Sequence, residues 1–241
     1  MSWSTHDLEP YVFQRKLGLG VAFIPLILGS YAPDILTKWF VYGFDFLGIH
    51  LRASDPAQFH RGWPGVGFTH SLAFGLVVAG IVYWLTRSKV WALSFLIGDW
   101  AHVISDIGDT VGVMLFFPFT TDHVSIEAWA YAGQLGRMTD AAAYYSGLGW
   151  TWDAFWGVCA LLSWRVVTTE YFRTVIVPAD PLVWQKLVRR YPEGLLLTIY
   201  RTFYFWGIAR LVAWLIWAHV FNDYPFDLSW GGPDWVEAAG E

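Results

Sequence analysis

The sequence predicts an all-α fold: a polytopic integral membrane helical bundle of about five transmembrane helices, N-terminus inside and C-terminus outside. Three observations predict it. Of 241 residues, 56% are hydrophobic and 15% charged, with mean hydropathy +0.40; a soluble domain carries about 25% charged residues. The apolar residues gather in long runs, several approaching the ~20 residues that a bilayer crossing needs. Seventeen Trp and twelve Tyr suit interfacial anchoring and aromatic helix packing.

Taken in order, residues 1–16 are polar and end in Arg15-Lys16, which predicts a segment outside the bilayer with Tyr11-Val12-Phe13 resting on its surface. Met1–Pro10 lacks the charged-then-apolar pattern of a cleavable signal, so insertion is expected to use the first membrane helix. Leu17–Ala32 is that first span, with Pro25 inside it, as membrane helices tolerate. Trp39–Leu51 is aromatic but too short to cross, and reads as the helix's tail after a break at Pro33-Asp34 or as an interfacial segment. Charges and Gly/Pro signals make 52–65 a loop. Val66–Leu85 is the second span, Thr86–Lys89 a tight turn, and Val90 to about Val113 the third span. Residues 119–148 read as loop with a short Ala-rich helix at Thr139–Tyr145. Trp150–Val166 is the fourth span, 167–193 a basic connection, and Leu195 to Phe221 the fifth, before an acidic tail, Asn222–Glu241. Without repeat or linker, 1–241 is one membrane domain, with motif-bearing helices at about 17–118 and aromatic-rich helices and loops at about 119–241.

Composition also excludes. A single cysteine, Cys159, forbids an intramolecular disulfide or a cysteine metal cluster. A net charge of −5 and a pI near 5.8 leave no basic footprint for nucleic acid. Orientation follows from the positive-inside rule. Five spans from an inner N-terminus put Arg15, Lys16, Arg87, Lys89, Arg165, Arg173, Lys186, Arg189, Arg190 and Arg201 inside; Lys38, Arg52, Arg61 and Arg137 fall outside.

The chemistry concentrates in the third span. Asp99, His102, Asp106 and Asp109 recur at i, i+3, i+7 and i+10, within roughly an 80° arc of one helix face. Ionisable groups at membrane depth are expensive and mark functional sites. A polar seam gluing helices is the plain alternative, but glue needs fewer groups. The topology brings Asp34, His70, His102, Asp106 and Asp109 towards the same outer leaflet. Imidazole and carboxylate donors in one cavity suit a divalent metal, Zn, Mn or Fe. Arg210, in the last span, needs a buried partner, for which Asp99 and Asp153 are the candidates.

Three motifs follow one another: Pro33-Asp34; His60-Arg61-Gly62 with Thr69-His70-Ser71; and Gly98…His102…Asp106…Gly112…Pro118. Their order resembles that in the YdjM-like family of bacterial inner-membrane proteins described as metal-dependent hydrolases, over roughly residues 20–120. The resemblance implies a small bundle in the bacterial inner membrane, with Asp34, His70, His102 and Asp106 as metal ligands. His60 is a further ligand or, with Arg61, grips an anionic substrate group. Thr69 and Ser71 become ligand-orienting partners or helix caps. Asp99 and Asp109 are candidates for orienting a ligand His or for general-base work. The chain departs from the pattern in three places. Leu36 and Thr37 stand where a second acid usually follows, Trp63–Phe68 interrupt the His-Arg-Gly-x-Thr-His-Ser motif, and Asp109 replaces a usual Thr.

Two functions therefore compete. One is a membrane-embedded metal-dependent hydrolase working near the outer, periplasmic leaflet on a lipid or phosphoester. The other is a non-catalytic accessory subunit of a larger membrane complex, a pigment or electron-transfer assembly among them. It would keep the hydrolase-like bundle and pack its aromatic second half against other subunits.

Overall fold

The computed structural model describes residues 2–35, 37–130, 137–222, 224–233 and 235; parts of the expected loop over 119–148 and of the acidic tail lie outside them. The described chain is mostly helical. Helix α1 (Trp3–Leu17) is followed by α2 (Phe23–Ile35) and α3 (Lys38–Tyr42). An antiparallel hairpin of β1 (Phe44–Phe46) and β2 (Ile49–Leu51) leads into α4 (Pro56–Arg61). Next come α5 (Leu72–Thr86), α6 (Lys89–Ser105) with a 3-10 turn at Asp106–Gly108, α7 (Arg137–Ser146) and α8 (Gly149–Leu162). Short helices α9 (Thr169–Tyr171), α10 (Val177–Ala179) and α11 (Trp184–Leu187) precede α12 (Glu193–Ile216), which continues as a π-helical stretch to Phe221.

Local chemistry explains the boundaries. Ser71 caps α5 by accepting from the Phe74 amide at 3.2 Å, and Ser88 caps α6 by accepting from Trp91 at 3.3 Å. Asp55 does the same for α4, with Pro56 in its first turn. The α6 helix stops at Ser105 rather than running on to Val113, because Asp106–Gly108 tightens into a 3-10 turn. The predicted third span is correspondingly shorter, and Asp109 leaves the helical face on which its spacing had placed it.

Packing of α2 on α6 positions the site. Contacts climb both helices in steps of four: the Ala22 amide donates to Ser94 Oγ, Leu26 abuts Gly98, and the Ser30 carbonyl meets His102. The next rung sets Asp34 beside Asp106. The approach is this close because Gly29 and Gly98 carry no side chain: a Cβ at 29 would strike the Phe95 carbonyl, and one at 98 the Leu26 carbonyl.

Helix α1 overturns the expectation for residues 1–16. Rather than lying on a membrane surface, it is a core element packed on α2, α8 and α12, with Tyr11 and Val12 buried. Several of its polar residues make tertiary bonds. Asp7 pairs with Arg210 at 3.1 Å and accepts from Tyr31, so Asp7, rather than Asp99 or Asp153, is the partner of Arg210. Tyr11 Oη donates to the Tyr200 carbonyl at 2.6 Å. The helix runs antiparallel to α2: His6, near its start, stacks on His102, while Arg15, near its end, borders Arg165. Residues near the start of α1 therefore sit at the Asp34–His102 end of the bundle, opposite Arg15 and Lys16, so the expected inner N-terminus and the expected outer centre do not hold together.

The count of five spans is also corrected. Two stretches are long and apolar enough to cross a membrane, Lys89–Gly108 (20 residues, mean hydropathy 1.2) and Glu193–Phe221 (29 residues, 1.3). The helices α2, α5 and α8 are each 15 residues or shorter, below the ~20 of a full crossing. Their outward sides are nonetheless greasy: Val77, Trp84 and Leu85 on α5 and Phe205, Trp206 and Val212 on α12 are all exposed. Surfaces of that kind mark membrane or partner contact.

Candidate metal centre

The centre forms where four chain segments meet at one end of the bundle. The last turn of α2 supplies Asp34, α4 supplies His60 and Arg61, the turn before α5 supplies His70, and the end of α6 supplies His102 and Asp106. All are 2% exposed or less.

Hydrogen bonds on the far side of each imidazole set its tautomer. His102 Nδ1 lies 2.7 Å from the Ser30 carbonyl, which can only accept, so Nδ1 carries the proton and Nε2 faces inward. The Thr69 hydroxyl donates to the Val66 or Pro33 carbonyl and accepts from His70 Nδ1 at 3.1 Å. His70 Nε2 therefore also faces inward. This outer bond to an imidazole is the usual arrangement behind metal-ligating histidines.

Carboxylate oxygens face these two inward nitrogens. His70 Nε2 lies 3.2 Å from Asp34 Oδ1 and 3.7 Å from Asp106 Oδ2; His102 Nε2 lies 3.8 Å and 3.1 Å from the same atoms. His102 Nε2 has no hydrogen-bond partner. The donor atoms of the four residues all lie within 4.8 Å of one another. Ligands about 2.1 Å from a tetrahedral ion stand about 3.4 Å apart, close to these measured edges. The donor set fits a divalent cation.

The remaining candidates surround this set. His60 Nε2 comes 3.1 Å from Asp34 Oδ1, and its ring meets that of His70 edge-on at 4.6 Å. Burial, with the Lys38 charge nearby, pushes His60 down to about 3, so it is a neutral imidazole at physiological pH. Although ten residues separate His60 from His70, the inserted segment folds back: the Val66 amide donates to the Phe59 carbonyl and the Gly67 amide to that of Gly62. Lys38 Nζ sits 3.4 Å from Asp34 Oδ2. Arg61 Nη2 bridges Asp106 Oδ2 at 2.6 Å and Asp109 Oδ2 at 3.1 Å. Asp109 Oδ1 accepts from the Gly112 amide at 2.7 Å, so both of its oxygens are engaged. Burial pushes the Asp109 carboxyl up, with Arg61 opposing. Asp99 lies apart from this cluster: its carboxylate abuts Gly75 of α5 and has no hydrogen-bond partner among the described residues.

One participant escaped the sequence reading. His6 stacks on His102 with ring centroids 4.0 Å apart and planes within 7°, and its Nδ1 lies 3.2 Å from Glu9 Oε1. Ser30 joins the two layers, its hydroxyl donating to Glu9 and its carbonyl accepting from His102. The only signal was His6 and Glu9 three apart on a helix, which polar surroundings disguised.

The family model described as YdjM inner membrane protein matches residues 11–173. That span takes in every ligand candidate and extends past the motif region into α8 and α9, while His6 and Glu9 precede it. No curated protein and no solved structure matches the chain.

Proposed function

The chain belongs to the YdjM inner membrane protein family, and from that premise we propose that it is a membrane-embedded, metal-dependent hydrolase working near the outer leaflet on a lipid or phosphoester. One observation carries the reading: two imidazole nitrogens and two carboxylates, buried and tautomerically fixed, face one another. Asp34, His70, His102 and Asp106 would hold the ion, with His60 as a fifth donor beside Asp34. Two imidazoles and two carboxylates suit Zn, Mn or Fe. Bound there, such an ion supplies Lewis acidity and makes water a stronger nucleophile near neutral pH. The protein's own part is to hold the donors and balance charge: Arg61 neutralises Asp106, Asp109 holds Arg61 in place, and Lys38 offsets Asp34.

Multi-pass insertion of α2, α5, α6, α8 and α12 accords with their greasy outward sides. The outer placement of the centre rests on charge: Arg15, Lys16, Arg87, Lys89 and Arg165 lie at the bundle's other end, as the positive-inside rule asks of the cytoplasmic side. With Lys38 and Arg61 buried in the centre, the outer side keeps only Arg52 and Arg137 of its four assigned cations.

A second reading is favoured by the centre's complete burial: an accessory subunit whose ion ties helices together and never meets substrate. Metal analysis of the purified protein beside His102→Ala and Asp106→Asn variants tests the shared premise, and hydrolysis assays with phospholipid and phosphoester substrates separate the readings. Stoichiometric metal lost in both variants together with turnover supports the hydrolase. Metal without turnover, in a protein that co-purifies with other subunits, supports the accessory role. A metal-free wild type of undiminished stability removes both.

A further inference from the structure

The end of the bundle opposite the metal centre carries a feature that the proposed function leaves unused. Two adjoining cavities, of about 350 and 380 Å³, share Arg15 as a common wall. The first is the more polar of the two, lined by Arg15, Arg165, Thr168 and Tyr171 together with Trp164. The second is mainly apolar, lined by Val12, Cys159 and Leu162, with Lys16 at its rim. Leu162 is 80% exposed and Trp164 57%, so the apolar walls open outward.

Three cations converge here from two different elements. Arg15 and Lys16 occupy the last turn of α1, where they also complement the helix dipole. Arg165 comes from the 3-10 turn that follows α8. Among the described residues none of the three reaches a carboxylate within salt-bridge distance, although Glu170 lines the first cavity. Three positive charges against one negative leave a net attraction for an anion. Tertiary bonds build the site: Tyr171 Oη donates to the Gln14 carbonyl at 2.7 Å, and Gln14 Nε2 donates to the Gly18 and Val21 carbonyls at 2.8 and 3.0 Å.

We infer that this paired groove binds one anionic glycerophospholipid of the cytoplasmic leaflet, its phosphate between Arg15 and Arg165 and an acyl chain along Val12 and Leu162. A cationic cavity and a more apolar one joined at a guanidinium match the two ends of such a molecule. Arginine forks pair with phosphate oxygens. Basic pockets between membrane helices on the cytoplasmic side take anionic headgroups, and the lining tryptophan belongs at headgroup level.

The test uses the full chain in a neutral detergent, titrated with phosphatidylglycerol, with phosphatidylcholine, or with inorganic phosphate, and read by native mass spectrometry and thermal midpoint. Phosphatidylglycerol alone is expected to be retained and to raise the midpoint. Arg15→Gln and Arg165→Gln should each weaken retention about fivefold, and together about 25-fold. Arg173→Gln, whose guanidinium is already paired with Glu193 at 2.7 Å, should leave it unchanged. Equal retention of phosphatidylcholine, the same shift from phosphate alone, or undiminished retention in the double variant overturns the assignment. Should the double variant fail to fold, the wild type decides: raising salt from 0.15 to about 1 M must release the lipid, and salt-insensitive binding overturns the site.

Discussion

Two buried carboxylate sites in this bundle invite comparison. Asp153 of α8 is fully buried, and four hydroxyls donate to it: Thr5 at 2.8 Å, Tyr144 and Tyr145 at 2.9 Å, and Ser2. Its acceptor sites are filled by neutral donors from α7 and from the start of the chain. Asp34 and Asp106 are equally buried, yet the imidazole nitrogens aimed at them are acceptors too. A carboxylate ringed by hydroxyls fastens helices together. Acceptors pointed at one another call for positive charge, part of which Arg61 supplies at Asp106 Oδ2 (2.6 Å) and Lys38 at Asp34 Oδ2 (3.4 Å). Burial alone therefore does not mark a functional acid; the nature of its neighbours does.

Substitutions can break or sharpen that contrast. The largest difference is expected in metal content. His102→Ala or Asp106→Asn should abolish stoichiometric metal in elemental analysis, whereas Asp153→Asn should retain it while lowering the thermal midpoint. Second in size is Arg61→Met. Removing one partner of a buried ion pair costs about 3–5 kcal/mol, and here two carboxylates lose a shared guanidinium, so denaturation in detergent should shift by at least that amount. Thr69→Val comes next. It removes the acceptor for His70 Nδ1, and loss of such an outer bond lowers metal affinity about 10- to 100-fold; competition with a chelator measures the change, and the fold should persist. The smallest effect is Tyr145→Phe, which deletes one of four donors to Asp153 and should cost about 1–3 kcal/mol for the acceptor left short without altering metal content. A loss of metal in Tyr145→Phe, or its retention in His102→Ala, would erase the distinction.

How much of this was written in the residues differs between the halves of the site. The His102–Asp106 pair was legible because both lie on one helix, one turn apart. Asp34 and His70 were legible through motif order, and so was Ser71 as a cap. The long apolar stretches around α6 and α12 were plain from hydropathy. Helix α1 was not, because hydropathy reads a polar segment as solvated. His6, Asp7 and Glu9 are buried only because Tyr31, Ser30 and Arg210, distant in sequence, supply their partners. The pairing of Arg210 with Asp7 is invisible for the same reason. Asp99 and Asp109 misled in a different way: their spacing assumed one unbroken helix, whereas the 3-10 turn sends Asp109 to Arg61, and Asp99 turns towards Gly75.

The glycine crossing of α2 and α6 bears on which ion the proposed centre would hold. Main chain rests on main chain at Gly29 and Gly98, so no yielding side chain lies between the two rods, and the separation of Asp34 from Asp106 works as a fixed caliper. An ion of calcium's size wants oxygens at about 2.3–2.6 Å and more of them, which this gauge has no slack to provide. At the proposed centre, radius as much as donor chemistry would then favour the smaller transition metals.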